Sequence, residues 1–388
     1  MMHFLSRCFH SFLKGHRDQE KVDISVIFLL GFLLRLCSFY LVRHIIFPDT
    51  QTYMQAGEDL WTTGRVSSTV VMPLYPLILY GLGKGLTSFV GILASSATGV
   101  FIYLIALQIT GRRLLALACG LFLAIYPLHI YYSSLLLTES FFIFFLYGSL
   151  WAFYGNRFLL GSFLIGMSLL IRPALMYVGP FLVIAFSRGT HGKTWKETGR
   201  DLLLYLGVVA LMLAPWVGHN FLKYGRWVLL NCGDGVIACW ENHQEFWLLG
   251  GKLPSPLGQL DPVAYNSFLK AKALEFVWHH PHEYLRLCWD RFQRFWSFAP
   301  ASHYKWYYGS QWVLGGLAIT GGLSFIALKS WRHWRLTLPL TGVILFLSTL
   351  HCLTHALDRY RLPLDPALII LASLWLCDKL KVHPKAKT

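Results

Sequence analysis

The stretch ISVIFLLGFLLRLCSFYLVR, residues 24–43, decides the fold. It is apolar almost throughout, and about 20 such residues in a helix cross the hydrocarbon core of a bilayer. Nine further blocks of this kind follow, near 88–110, 113–131, 139–155, 158–172, 174–187, 201–219, 311–328, 336–352 and 363–378. Pro173 splits two of them into short pieces, either two short spans or one broken span. Only 14% of the 388 residues are charged and 55% are hydrophobic, against about 25% charged in an ordinary soluble chain. Blocks spread along the whole sequence exclude a single signal peptide as their cause. The expected fold is an all-α polytopic membrane protein with about ten transmembrane helices.

The net charge is +15. No basic helix or aromatic RNA motif stands apart from the apolar blocks, so no nucleic-acid partner is expected. The basic residues read instead as anchors of cytoplasmic segments. Arg7, Lys14, Arg17 and Lys21 precede the first block, and Lys379, Lys381, Lys385 and Lys387 follow the last. Alternate short connections carry Arg112 and Arg113, Arg157, Arg188 to Arg200, and Lys329 to Arg335. Both termini are therefore expected in the cytoplasm.

That order divides the chain into a cytoplasmic tail (1–23), an N-terminal transmembrane catalytic module (24–219), an outer Trp-rich loop (220–310), C-terminal transmembrane helices (311–378) and a second tail (379–388). The module contains a first outer loop, 44–87. Within it, 71–86 (VMPLYPLILYGLGKGL) cannot be a full span without inverting everything downstream. It reads as a juxtamembrane or re-entrant segment, its prolines and glycines suiting non-helical backbone packed on protein. In the Trp-rich loop, Asp261-Pro262 reads as a helix start and Pro281 as an interruption. The helix after Pro281 gathers Leu285, Trp289, Phe292 and Trp296 on one face, as in an interfacial helix or a core helix of a small lobe. Cys232 and Cys239 share that loop and could form a disulfide in an oxidising compartment.

Polar groups at membrane level cost free energy and ask for a reason. By this topology Asp49, Tyr53, Glu139, Arg172, His219, Asn220, His355, Asp358, Arg359, Tyr360 and Arg361 reach the non-cytoplasmic face. Asp49 and Glu139 can deprotonate a hydroxyl or hold a divalent cation. Arg359 and Arg361 can grip a phosphate through paired hydrogen bonds. Structural alternatives stand beside these roles: lipid head-group binding for the arginines, a helix cap for Glu139, a turn for Asp49. Arg35, in mid-span, reads as half of a buried ion pair. His351 and His355 share one helical face but lack a third metal ligand.

Several motifs in order carry a family resemblance. FPDTQTYMQAGEDLWTTGRVSS (47–68) and MPLYPLILYGLG (72–83) come first, followed by YYSSLLLTESFFIFF (131–145) and GSFLIGMSLLIRPALMYVGP (161–180). APWVGHNFLKYG (214–225) and DRYRLPLDPALIILA (358–372) complete the set. The chain resembles the C-type glycosyltransferases, which include dolichyl-phosphate-mannose protein mannosyltransferases and lipid A aminoarabinose transferases. The resemblance implies a polyprenyl-phosphate-linked sugar as donor and an acceptor hydroxyl on a protein, lipid or glycan. It also implies Asp49 as the general base of an inverting transfer. The compact outer loop points to a bacterial inner membrane, with the site facing the periplasm or exterior. The chain departs from the pattern in having Asp49-Thr50 where Asp-Glu is common, leaving a divalent metal open, and His219 where Arg is common. A lipid-linked sugar transporter or flippase, and a glycan polymerase or ligase, are the alternative readings.

The topology predicts that a cysteine placed at Thr190 stays protected in intact cells, whereas one at Ser255 reacts with an impermeant thiol reagent. Labelling at 190 and not at 255 contradicts it.

Overall fold

The computed structural model describes residues 2–64, 71–231, 260–297, 308–328 and 334–379, and every regular element among them is helical. Helix α1 (Met2–Val42) is followed by α2 (Pro48–Thr63), α3 (Leu74–Thr110), α4 (Arg113–Ala124) and α5 (Pro127–Ser133). Next come α6 (Glu139–Tyr154), α7 (Phe158–Leu169), α8 (Val178–Ile184) and α9 (Trp195–Tyr224). The outer loop supplies α10 (Pro262–His279) and α11 (Pro281–Trp296), and α12 (Tyr308–Leu328), α13 (Trp334–Leu353) and α14 (Asp365–Lys379) close the chain. Cys232 and Cys239, with Trp240, Trp247 and Trp306 of the same loop, lie outside the described residues.

Among the described residues, four helices are long and apolar enough to cross a membrane: Asp18–Val42 within α1, Leu74–Thr110, Trp195–Tyr224 and Trp334–Leu353. Helices α4 and α5, bent by 52° at their junction, together make a fifth candidate. Of the remaining expected blocks, Phe158–Leu169, Val178–Thr190, Gln311–Ala327 within α12 and Asp365–Leu376 within α14 are shorter apolar helices. The division at Pro173 is a broken element: α7 ends at Leu169, a 3-10 turn covers Pro173–Leu175, and α8 runs on into a π-helical turn, Ala185–Thr190.

Two expectations need correction. The non-helical backbone expected of 71–86 is limited to residues 71–73 and Gly83: a short helix from Leu74, as expected of the first outer loop, breaks at Gly83, at φ 72° and ψ 168°, before the long helix to Thr110. A left-handed φ favours glycine, so beyond residue 73 one residue does the work expected of a longer irregular stretch. Among the described residues Arg35 makes no ion pair. Its buried guanidinium donates to Ser95 Oγ at 2.8 Å, to the Gly31 and Ala124 carbonyls at 3.1 Å each, and to the Leu123 carbonyl at 3.4 Å. Those last two carbonyls end α4 just before the bend; the Leu123 carbonyl also accepts from the Tyr126 N–H at 3.2 Å, and a cation is favoured beside a helix C-terminus.

The outer-loop helices form as the sequence implies. Asp261 caps α10, its Oδ1 accepting from the N–H groups of Val263 and Ala264, and Pro281 opens α11. The apolar face of α11 is turned away from the protein, with Leu285 63% and Trp289 57% exposed. That disposition fits an interfacial helix, although Trp296 of the same face packs partly on the core. The side packed on α13 carries Tyr284, Arg291 and Phe295 instead.

Close backbone approaches hold the bundle around the first outer loop. A Cβ on Gly120 would lie 2.5 Å from Ile27 Cδ1, drawing α4 against α1. A Cβ on Gly57 would lie 2.4 Å from the Pro76 carbonyl oxygen and 2.8 Å from Tyr80 Cβ. Gly57→Ala must therefore push α2 off α3, at a cost of about 1–3 kcal/mol. Thermal unfolding of the purified protein should show this loss for Gly57→Ala, while Gly81→Ala, with no atom within 4 Å of its Cβ, should unfold at the parental temperature or slightly above.

Candidate active site

Three chain segments supply the first charges, and a hydrogen bond ties each of them to a neighbouring segment. Pro48 occupies the first turn of α2, which sets Asp49 at that helix's N-terminus. Glu139 opens α6 in the same way. Both carboxylates thus sit where the helix dipole favours negative charge. Thr50 Oγ1 donates to the Leu136 carbonyl at 3.0 Å, joining the start of α2 to the turn before α6. The Leu74 N–H donates to the Leu170 carbonyl at 3.0 Å, joining the start of α3 to the end of α7. Just beyond that end Arg172 takes an extended conformation, φ −144° and ψ 131°, as the residue before a proline prefers.

A fourth segment, the 3-10 turn Asp358–Arg361 between α13 and α14, delivers the second arginine. Arg359 is ion-paired through Nη2 with Asp49 Oδ2, and its Nε lies 3.5 Å from Glu139 Oε1. The same Glu139 oxygen accepts from Arg172 Nη2 at 2.8 Å. Two carboxylates and two guanidiniums therefore alternate in one chain of contacts. Glu139 is buried, whereas the Asp49 side chain is 39% exposed. Burial works against the Arg359 charge, but Glu139, Tyr360 and Asp49 outweigh it, so Arg359 holds its proton more tightly than a free guanidinium.

Aromatic rings wall this chain of charges. Tyr360 lies with its ring 5.2 Å from the Arg172 guanidinium and 5.5 Å from that of Arg359. His351 stacks on it at 4.7 Å and His355 meets it edge-on at 5.5 Å. Phe47 lies 6.0 Å from the Arg359 guanidinium. Tyr53 stands edge-on to Tyr75 at 5.0 Å. Enclosure pushes the Tyr53 phenol up to about 12, with Glu139 and Asp49 adding to the shift and Arg172 opposing it, so it remains a neutral donor.

The charges are not all spent on one another. Arg359 Nε and Nη1 and Glu139 Oε2 are buried without a hydrogen-bond partner among the described residues. Buried polar atoms are usually paired, so these unsatisfied groups mark a place for a ligand or water. Behind Glu139 lies a small polar cavity, lined among others by Ser95, His129, Ser133 and Ser140, with room for little more than a water molecule.

Of the residues expected to share the site, the structure brings together Asp49, Tyr53, Glu139, Arg172, His355, Arg359 and Tyr360. It sets the others apart. Arg361 is 2% exposed and turns away, donating to the Phe295 carbonyl at 3.3 Å and to the Ser297 carbonyl, with Asp365 at 3.4 Å. That geometry corrects its assignment as a phosphate clamp, because Nη1 is used on protein carbonyls while Nε, without a hydrogen bond among the described residues, faces the buried Asp365 carboxylate and not the acidic cluster. His219 stacks on Trp216 at 5.4 Å, and Asn220 donates to the Val228 carbonyl at 3.2 Å, pinning the chain that leaves α9. The side chain of Asp358 lies outside the described residues. Phe47 and His351 also line the site. Nothing in the sequence marks Phe47 for it, although His351 stands out by its spacing from His355.

The residues present do not fit a divalent cation. The Arg359 guanidinium occupies the position between the two acids, and among the described residues no three of His, Cys, Asp or Glu converge.

No family model matches this sequence, and no curated protein does. Solved structures share the fold, two of them as follows. ArnT from Cupriavidus metallidurans, bound to undecaprenyl phosphate, is 15% identical with a TM-score of 0.53, over 93% of this chain and 60% of its own. The archaeal oligosaccharyltransferase AglB from Archaeoglobus fulgidus, in complex with an inhibitory peptide and a dolichol-phosphate, is 13% identical with a TM-score of 0.57. The match covers 95% of this chain and 51% of AglB. The chain thus spans between half and two thirds of the length of the structures it matches.

Removing a buried member of an ion pair costs about 3–5 kcal/mol, whereas Asp49 is 39% exposed and its partner Arg359 keeps Glu139 when Asp49 is lost. Glu139→Ala should therefore lower stability several-fold more than Asp49→Ala, as read from denaturation of the purified variants. Equal losses would contradict the role of Glu139 as the buried centre of the cluster.

Proposed function

We propose that this chain is an integral membrane glycosyltransferase that moves a monosaccharide from a polyprenyl-phosphate donor to an acceptor hydroxyl on the non-cytoplasmic face. One observation carries the reading: Arg359, buried and with two N–H groups unspent, touches a carboxylate that remains open to solvent. A phosphate on Arg359 would put the donor's anomeric carbon within reach of a nucleophile resting on Asp49. The shared fold with two proteins solved on polyprenyl or dolichol phosphate supports the same reading.

In this mechanism the acceptor hydroxyl gives its proton to an Asp49 oxygen as its own oxygen bonds to the anomeric carbon. The bond from that carbon to the phosphate oxygen breaks, and its electron pair leaves with the lipid phosphate. Arg359, backed by Arg172, stabilises the charge gathering there, as a preorganised cation does at any developing anion. Attack from the side opposite the phosphate inverts the anomeric centre without a covalent intermediate. Glu139 holds the two guanidiniums in place. Tyr360 flattens them against its ring, and a planar fork suits this task better than a flexible ammonium.

A positioned general base contributes typically about 10²–10⁴-fold in rate. Asp49→Asn should lose turnover by that order while binding undecaprenyl phosphate at least as well as the parent, since Arg359 is released from its partner. Asp59→Asn, on the outer part of α2, should turn over normally. Arg359→Lys should lose donor affinity. Donor-consumption and lipid-phosphate binding measurements on purified variants decide this. Near-parental turnover in Asp49→Asn removes the assignment.

A further inference from the structure

Arg359 is held in place by a turn whose far end is anchored on the outer loop. The anchor consists of two arginines that each cap the other's helix. Arg291, on α11, is fully buried and sends Nη1 to the carbonyls of Leu353 at 3.0 Å and Thr354 at 2.8 Å, where α13 ends. Its Nε returns to its own helix at the Leu287 carbonyl, 3.0 Å away. Tyr284 Oη, about two turns earlier on α11, donates to the same Leu353 carbonyl at 2.9 Å. In the opposite direction Arg361, which follows α13, sends Nη1 to the carbonyls of Phe295 and Ser297, where α11 ends. The terminal carbonyls of a helix lack N–H partners within it, and a cation is favoured beside them. Asp365, itself buried, neutralises Arg361 from the first turn of α14.

A second line of contact runs parallel to the first. Phe295 of α11 stacks on His351 of α13 at 5.8 Å, His351 stacks on Tyr360, and Tyr360 lies against both guanidiniums of the site. The turn that presents Arg359 is only four residues long, and its last residue is the arginine fixed on α11. A displacement of α11 therefore reaches Arg359 through one helical turn of chain and through one stack of rings.

We infer that Arg291 and Arg361 are positioning residues, a reciprocal pair of helix caps that docks the outer-loop helix on α13 and thereby sets Arg359 against Asp49. Neither touches the acidic cluster, and each acts through the turn. The docking geometry is independent of the reaction, and its effect on donor binding rests on the function proposed above.

The test places cysteines at Asp49 and Arg359 in a full-length chain otherwise free of cysteine, purified in detergent, and follows the rate of closure by a short bis-thiosulfonate cross-linker. Arg361→Met and Arg291→Met should each slow closure about five- to ten-fold, and the double variant should be no slower than the worse single one, because either loss undoes the same pair. Parental closure rates in either single variant, or multiplicative slowing in the double, overturn the inference. Should a methionine variant fail to fold, Tyr284→Phe takes its place. It removes one bond to Leu353 and should slow closure in the same direction by a smaller factor. An unchanged rate there counts equally against the pair. In the background that keeps Asp49 and Arg359, the same variants should bind undecaprenyl phosphate about ten-fold more weakly than the parent. If the parent itself binds none, the glycosyltransferase reading fails while the closure rates still decide the pair.

Discussion

A helix that ends inside or beside a membrane leaves carbonyl groups that water reaches poorly, and each needs a donor from elsewhere in the protein. This chain is built from broken helices, and arginine answers three of the breaks. Arg35 meets the end of α4, Arg291 the end of α13, and Arg361 the end of α11. A guanidinium suits the task because it offers five N–H groups in a fixed plane, so one side chain reaches carbonyls on two segments. The breaks in turn permit the bend between α4 and α5 and the turn carrying Arg359. Without capped ends, neither could persist in an apolar setting.

On that frame the acidic residues are placed by helix starts and the basic ones by helix ends. Asp49 and Glu139 open α2 and α6, while Arg172 and Arg359 follow α7 and α13. Hydrogen bonds between neighbouring segments, from the Thr50 hydroxyl to the Leu136 carbonyl and from the Leu74 N–H to the Leu170 carbonyl, fix those starts and ends at one level. The alternation of sign then follows from chain geometry, and the charges stabilise an arrangement that the backbone has already set out.

The sequence made some of this legible and hid the rest for a physical reason. A carboxylate or guanidinium beside an apolar block is conspicuous because burying it is costly, and that signal found Asp49, Glu139, Arg172 and Arg359. What such a residue meets is another matter. Arg35 and Arg361 stand out for the same reason, yet one lies on the end of α4 and the other on the end of α11, since bare carbonyls attract a guanidinium as a phosphate does. His219 and Asn220 follow a proline within α9 and invite a functional reading, but they serve the exit of that helix. Arg291 escaped notice because charge is ordinary on the polar side of an amphipathic helix. Only its distance of about seven residues from Tyr284, two turns on the same face, hints that it looks inward. The helical character of 74–82 was masked by glycines, of which Gly83 alone leaves the helix.

The alternating quartet of Asp49, Arg359, Glu139 and Arg172 carries no net charge, and this bears on which species the site holds longest. On the reading proposed above, the donor is a phosphodiester with a single negative charge, while the lipid phosphate left behind is a monoester carrying between one and two near neutral pH. The departing lipid is thus the more anionic of the two, and it faces the same pair of guanidiniums in a setting of low polarity, where each added charge weighs heavily. Sugar transfer would leave the enzyme occupied by its own by-product, and the pace of repeated cycles would then be set by how quickly the spent lipid diffuses back into the bilayer.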